Sequence, residues 1–432
     1  MSILPPDHPE RLVLADEVHA RPPEPLQTPA RATYVAILVD ADDRVAEAQH
    51  LARLCSRFDV QPPATGATQF SAQVGPVRLK WERHGEFSGY TLIAPGAADS
   101  GFAETAAQAL PAGWLKALPG RTVVAANALL LRSDGAAPSA AVLAGYFGGN
   151  PVVGSAIGDG LGFAFTDFRI HGDGCARFVL LDGGFTMNQA GRMMQRLFEI
   201  DAYRMMALLA LPIARRQSPR IVAIEKSLAE LTDGIARDDG FEEALLHELT
   251  RLAAEVESGL SASQFRFGAC RAYSELVRTR IAELRETRVA GMQTIEEFMA
   301  RRFTPAVTTC QTVSQRLHGL SERVAQASGL LATRVGIARE RQNQDLLASM
   351  NRRAKLQLRL QQTVEGLSVA AIVYYVVGLL GYLAKAAKAG GLAVNSDLVA
   401  GLAVPLVAAL AILAVRRARR HITAAEAHEL AP

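Results

Sequence analysis

Two uncharged apolar runs near the end of this 432-residue chain limit what it can fold into. Gly366 to Ala384 is 19 residues long and Leu398 to Val415 is 18, with no Asp, Glu, Lys or Arg in either. A helix needs about 20 apolar residues to cross a bilayer. One such run alone reads equally well as the core helix of a soluble protein. Two in succession with basic flanks read as a transmembrane hairpin. Arg352, Arg353, Lys355 and Arg359 precede the first run, and Arg416, Arg417, Arg419 and Arg420 follow the second. The loop between them holds only Lys385, Lys388 and Asp397. Basic residues stay on the cytoplasmic side, so the sequence predicts both termini in the cytoplasm and a short loop outside.

Within the spans, Gly378, Gly381, Gly401, Ala403, Ala408 and Ala411 are small. Small residues let helices approach closely in lipid, where no hydrophobic effect drives them together. Two spans bury little surface by themselves, so a homo-oligomer in the bilayer is expected. Tyr382 sits near the outer end, either as an interfacial aromatic anchor or at a pore mouth. Gly378, Gly381, Tyr382 and the loop residue Asn395 are the candidate pore or packing positions. No ionisable group within the spans offers a proton relay.

Upstream, Ile337 to Glu365 contains neither glycine nor proline and leads directly into the first span. As one helix it would be about 43 Å long at 1.5 Å per residue. Its basic residues suit either anionic lipid or solvent. Val313, Leu317, Leu320, Val324, Ala327 and Leu331 step by 4 and 3, the rhythm of a coiled-coil seam. Breaks at Gly240, Ser258 to Ser263 and Pro305 predict antiparallel helices over 218–258, 264–303 and 306–365. Another is expected over Asn188 to Leu211, capped by Asn188 and ended by Pro212.

Residues 30–186 read as an α/β or α+β domain. Strands are expected at Ala32 to Val39, Val77 to Trp81, Tyr90 to Ile93, Val123 to Leu131, Phe163 to Ile170 and Phe178 to Leu181, with a helix over Asp42 to Phe58. Several strands with few helices between them favour a mixed sheet. The predicted class is therefore α+β, in six segments. These are an extended segment (1–29), the α/β domain (30–186), a long-helix region (187–336), a stalk (337–365), the hairpin (366–415) and a cytoplasmic tail (416–432).

Little in this sequence carries chemistry. The glycines from Gly145 to Gly162 match no phosphate-binding pattern and read as turns. Glu82, His84 and Glu86 alternate along a strand and could ligate a divalent cation, the one cofactor the sequence leaves room for. An exposed charged hairpin tip is the competing reading. Asp16, Glu17, His19 and Arg21 form a second polar group. No nucleophile motif appears, so no catalytic residue is named and an enzyme is not favoured. Cys55, Cys175, Cys270 and Cys310 are too dispersed for a zinc site and read as reduced thiols. The segment Met1 to Glu17 has no apolar core of the kind a signal peptide needs. A net charge of +3 gives no case for nucleic acid.

Three stretches carry a resemblance: His8 to Pro22 (HPERLVLADEVHARP), Trp81 to Phe87 (WERHGEF), and Val364 through Tyr374, Tyr375 and Gly381 to Leu383. Together they resemble a proteobacterial family of membrane-anchored proteins, domain of unknown function 3422. The resemblance implies an inner-membrane location and brings no activity. In element order the chain is also similar, more loosely, to CorA-type divalent-cation transporters, which are oligomers with Gly-Met-Asn at the outer end of the first span. Here that stretch reads Gly378 to Tyr382 (GLLGY), without the asparagine. The expectation is an oligomeric inner-membrane protein of CorA-like architecture with ion transport. The alternative is a non-conducting, membrane-anchored scaffold or sensor with an unidentified protein partner.

Overall fold

The computed structural model describes residues 5, 7–12, 14–15, 22–96, 101–237, 242–391 and 395–429. The fold is α+β, as the strand and helix patterns predict. The chain divides into two units, Met1–Gly329 and Leu330–Pro432.

The first unit is built on a nine-stranded sheet in the order β2-β3-β4-β1-β5-β8-β7-β6-β9. Its strands are β1 (Ala30–Leu38), β2 (Gln69–Val74), β3 (Val77–Arg83), β4 (Phe87–Pro95), β5 (Arg121–Arg132), β6 (Val153–Ile157), β7 (Gly162–Thr166), β8 (Ala176–Asp182) and the short β9 (Thr287–Arg288). Neighbouring strands are antiparallel except β5 and β8. The segment between those two, with helix α2 (Ala140–Phe147) and the β6–β7 hairpin, supplies the crossover that a parallel pair requires.

β7 stops at Thr166, short of the expected Ile170. Phe168 adopts a left-handed conformation (φ 51°), and the buried Asp167 carboxylate accepts from Asn150 Nδ2 at 2.8 Å. The turn reading of the glycines holds for four of the seven, Gly148, Gly149, Gly158 and Gly160, whereas Gly145 lies inside α2, Gly154 in β6 and Gly162 in β7. Gly148 ends α2 with φ 62°, and Gly158 and Gly160 turn the chain between β6 and β7.

Helix α1 (Arg44–Arg57) packs on one sheet face, where Leu51 and Leu54 meet Ile37, Leu79 and Leu92 in a core cluster. Buried among them is the Glu47 carboxylate, 1% exposed. It accepts hydrogen bonds from Trp81 Nε1 at 3.0 Å and Tyr90 Oη at 2.9 Å, with Arg44 Nη1 at 3.5 Å. A buried charge survives only when it is paired and hydrogen-bonded in this way. Burial, reinforced by Glu47, pushes the Tyr90 phenol well above its usual pKa.

On the opposite face lies α3 (Met187–Leu208), with Phe198 stacked on Tyr34 at 5.1 Å. Its cap is Thr186 rather than the expected Asn188. Thr186 Oγ1 accepts from the Gln189 backbone, and the Thr186 N–H returns a bond to Gln189 Oε1 at 2.9 Å. Gly191 is required on this helix, because a Cβ there would sit 1.8 Å from the Glu24 carbonyl oxygen of the extended segment crossing it.

The remaining helices of the unit are α4 (Leu211–Arg237), α5 (Glu242–Leu284), α6 (Ile295–Arg302) and the first part of α7 (Thr304–Ala389). The break expected at Ser258 to Ser263 does not occur. Ser263 Oγ donates to the Gly259 carbonyl one turn back, at 2.6 Å, so the hydroxyl is satisfied inside α5. Pro305 does mark a boundary, falling at the start of α7. The predicted seam from Val313 to Leu331 is buried at all six positions. Arg316 pairs with Glu225 at 2.6 Å, tying α7 to α4.

In the second unit, α7 continues to Ala389 without a separate first-span element, and α8 runs over Ser396–Glu429. Among the described residues, two helices are long and apolar enough to cross a membrane, with windows of mean hydropathy 2.0 and 2.7. Those windows are only 6% and 11% buried, unlike the core helix of a soluble protein.

Glu47→Ala strands the buried Trp81 and Tyr90 donors and removes the carboxylate beside Arg44, which keeps its bonds to Ser88 and the Gly85 carbonyl. A loss of about 3 to 5 kcal/mol is expected, following the cost of removing one partner from a buried charged cluster. Thermal or denaturant unfolding of the purified protein measures it, and an unchanged midpoint would contradict this account of the core.

Candidate functional site

The β5 segment Ala125-Ala-Asn-Ala128 is unusually small for a central strand. On the face toward α3, Ala126 and Ala128 are fully buried. On the other face, Ala125 and Asn127 leave space unfilled. A cavity of about 1000 Å³ opens there, over β1, β5 and β8. Short 3-10 turns between Gly101 and Ala117 and helix α2 wall it.

Strand register sets the floor. Thr33 lies opposite Asn127 across the antiparallel β1–β5 pair, and Asn127 lies opposite Arg177 across the parallel β5–β8 pair. Three polar side chains from three adjacent strands thus form one row. Thr33 Oγ1 donates to Asn127 Oδ1 at 2.7 Å and accepts from the Ala107 N–H at 3.2 Å. Arg177 Nη1 donates to the Tyr146 carbonyl at 2.8 Å, and its guanidinium lies 5.0 Å above the Phe102 ring. Its nearest carboxylate, Asp173, is 3.9 Å away, an ion pair too long for a hydrogen bond. Lys116 adds an exposed cation at the wall.

Cys175 lines the same cavity and is half-buried, whereas Cys55, Cys270 and Cys310 are buried; all four are free thiols. Burial first, then the Asp173 carboxylate, pushes the Cys175 thiol up to about 11, against a hydrogen bond from Asn127. At neutral pH it is a thiol, not a thiolate nucleophile.

The residues singled out from sequence are placed elsewhere. Glu82, His84 and Glu86 meet three different sets of neighbours. Glu82 is buried and pairs with Lys80 at 2.9 Å, His84 stacks on Phe87 at 4.2 Å, and Glu86 pairs with Arg266. Among the described residues, no three His, Cys, Asp or Glu side chains are grouped to hold a metal ion. Asp16, Glu17, His19 and Arg21 lie outside the described residues. A Cβ added at Gly378 or Gly381 would meet nothing within 4 Å, and Tyr382 is exposed. Asn395 Oδ1 accepts from the Asp397 N–H at 3.2 Å at the start of α8.

Sequence reading missed the cavity row. The available signal was Asn127, a lone amide inside the apolar run Val123 to Leu131, with Arg177 beside the run Phe178 to Leu181.

The model of a family described as a protein of unknown function (DUF3422) matches residues 6–422. The chain belongs to that family. No curated protein and no solved structure matches it. The looser CorA-type likeness gains no support from these comparisons and rests on element order alone.

The Cys175 environment makes a prediction about its reactivity. Its alkylation by iodoacetamide, followed by peptide mass spectrometry, is expected to rise about tenfold per pH unit from pH 7 to 9 without levelling off. A plateau near pH 8.5 would show an unperturbed thiol and contradict the burial described here.

Proposed function

We propose that this protein is a membrane-tethered small-molecule receptor, with its α/β unit in the cytoplasm and its hairpin acting as an anchor. The cavity with the Thr33–Asn127–Arg177 floor carries this reading. Pockets that combine apolar walls with a few placed polar groups are the usual form of a ligand site. The apolar, uncharged windows of α7 and α8 support membrane insertion, with the basic flanks Arg352 to Arg359 and Arg416 to Arg420 on the cytoplasmic side. The bacterial inner membrane is the location consistent with both. The exposed small residues Gly378 and Gly381 favour self-association of the spans into a homo-oligomer.

A conducting oligomer is the second reading, favoured by the same small residues. Neither span carries a carboxylate or side-chain amide to replace an ion's hydration shell.

Three measurements test the proposal. In intact spheroplasts, Asn395→Cys is expected to react with an impermeant maleimide; labelling only after permeabilisation would reverse the topology. Proteoliposomes are expected to pass Mg²⁺ no faster than empty vesicles, and a protein-dependent flux would select the conducting reading. In a thermal-shift screen of a metabolite library, some compound should stabilise the wild type but not the cavity-filling Ala125→Phe. A library with no such compound would defeat the receptor reading.

A further inference from the structure

The cavity wall places one cation in an unusual position. Arg177 makes one firm hydrogen bond, from Nη1 to the Tyr146 carbonyl. Its Nε is buried without a partner, and its nearest carboxylate oxygen, on Asp173, stands 3.9 Å from Nη2. Asp173 is itself engaged, its Oδ1 accepting from the Cys175 N–H at 3.0 Å. The guanidinium is therefore under-neutralised where it lines the cavity. Lys116 lines the same space, so the wall carries two cations against the single carboxylate of Asp173. Around this charge the surface is apolar and partly aromatic, with Phe102, Tyr146, Leu115 and Val35. The Asn127 amide and the protonated Cys175 thiol add polar groups without charge.

We propose that the cavity binds a small organic anion, its oxygens on the Arg177 guanidinium and its apolar body against Phe102 and Tyr146. Arg suits this role because its charge is permanent and its planar fork matches a carboxylate or phosphate. A neutral ligand of the same shape would gain the apolar contact but leave the guanidinium as under-neutralised as before. The opposite assignment, a cationic ligand on Asp173, would bring like charge beside both Arg177 and Lys116. This inference rests on the receptor reading above and adds the charge of the ligand to it.

Benzoate and benzamide make a near-isosteric pair differing in charge. Cys175 provides an internal reporter, because alkylation at pH 9 reads occupancy of the cavity in the full-length protein in detergent. Benzoate is expected to slow alkylation of Cys175 in a saturable manner, with benzamide at least about tenfold weaker. Arg177→Gln should abolish the difference between the two, and Lys116→Gln, at an exposed position outside the core, should weaken benzoate selectively. Arg177→Lys keeps the charge but not the fork, and should retain a reduced preference for benzoate. Equal protection by both compounds in the wild type would overturn the anion assignment while leaving the receptor reading standing. Protection by benzoate that persists undiminished in Arg177→Gln and Lys116→Gln would place the anion elsewhere and overturn it too. Protection by neither compound, nor by inorganic phosphate or citrate at millimolar concentration, would overturn the anion assignment. The library screen with Ala125→Phe then decides the receptor reading separately.

Discussion

The small side chains of β5 are the constraint on which the rest of the first unit depends. On one face, Ala126 and Ala128 let α3 settle against the sheet, so Phe198 can reach both Tyr34 and Phe178. On the other face, Ala125 and Asn127 deny the covering turns enough bulk to close the space. Larger residues in this strand would push the helix off one side and fill the cavity on the other. The same register that stacks the alanines also aligns Thr33, Asn127 and Arg177.

The attachment of the helices to the sheet has a different character. Beside the apolar face of α3, a chain of charged groups runs between β3, α3 and α5. Lys80 meets Glu82 and Gln195, Gln195 donates to Glu199, and Arg280 bridges Glu199 and Glu283, which Arg196 also holds. Three cations face three carboxylates, so no net charge is stranded. Such networks contribute specificity of fit more than net stability, since each group gives up water to join. Their directional bonds set the register of α3 and α5 where apolar packing alone would tolerate sliding.

Periodicity made much of this legible in the sequence. The alternation Val77, Leu79, Trp81 marks β3, and the 4–3 stepping from Val313 to Leu331 marks a helix face that is indeed buried. Local composition was less dependable where a side chain could satisfy itself. The serines of α5 read as a break, yet Ser263 bonds back within the helix. Strands β2 and β6 escaped notice because polar and small residues dilute their alternation. The metal-like spacing of Glu82, His84 and Glu86 could not show what lies across the sheet. Lys80 is on the same strand, but Arg266 is 180 residues from Glu86. The cavity was invisible for the same reason, being a property of register between strands distant in the chain.

That register also bears on how the protein assembles. Thr33 and Asn127 are 94 residues apart in sequence, and Arg177 lies a further 50 along. Pairings of such long range form late, because their loop-closure entropy is lost before contact energy repays it. A floor drawn from β1, β5 and β8 exists only once the β2-β3-β4-β1-β5 and β8-β7-β6-β9 parts of the sheet have joined through the parallel β5–β8 pair. Any molecule held by that floor favours the joined state over one in which β8 is detached, by ordinary mass action. Occupancy of the cavity and completeness of the sheet are thus thermodynamically linked, and a ligand of this protein would also be a stabiliser of its folded chain.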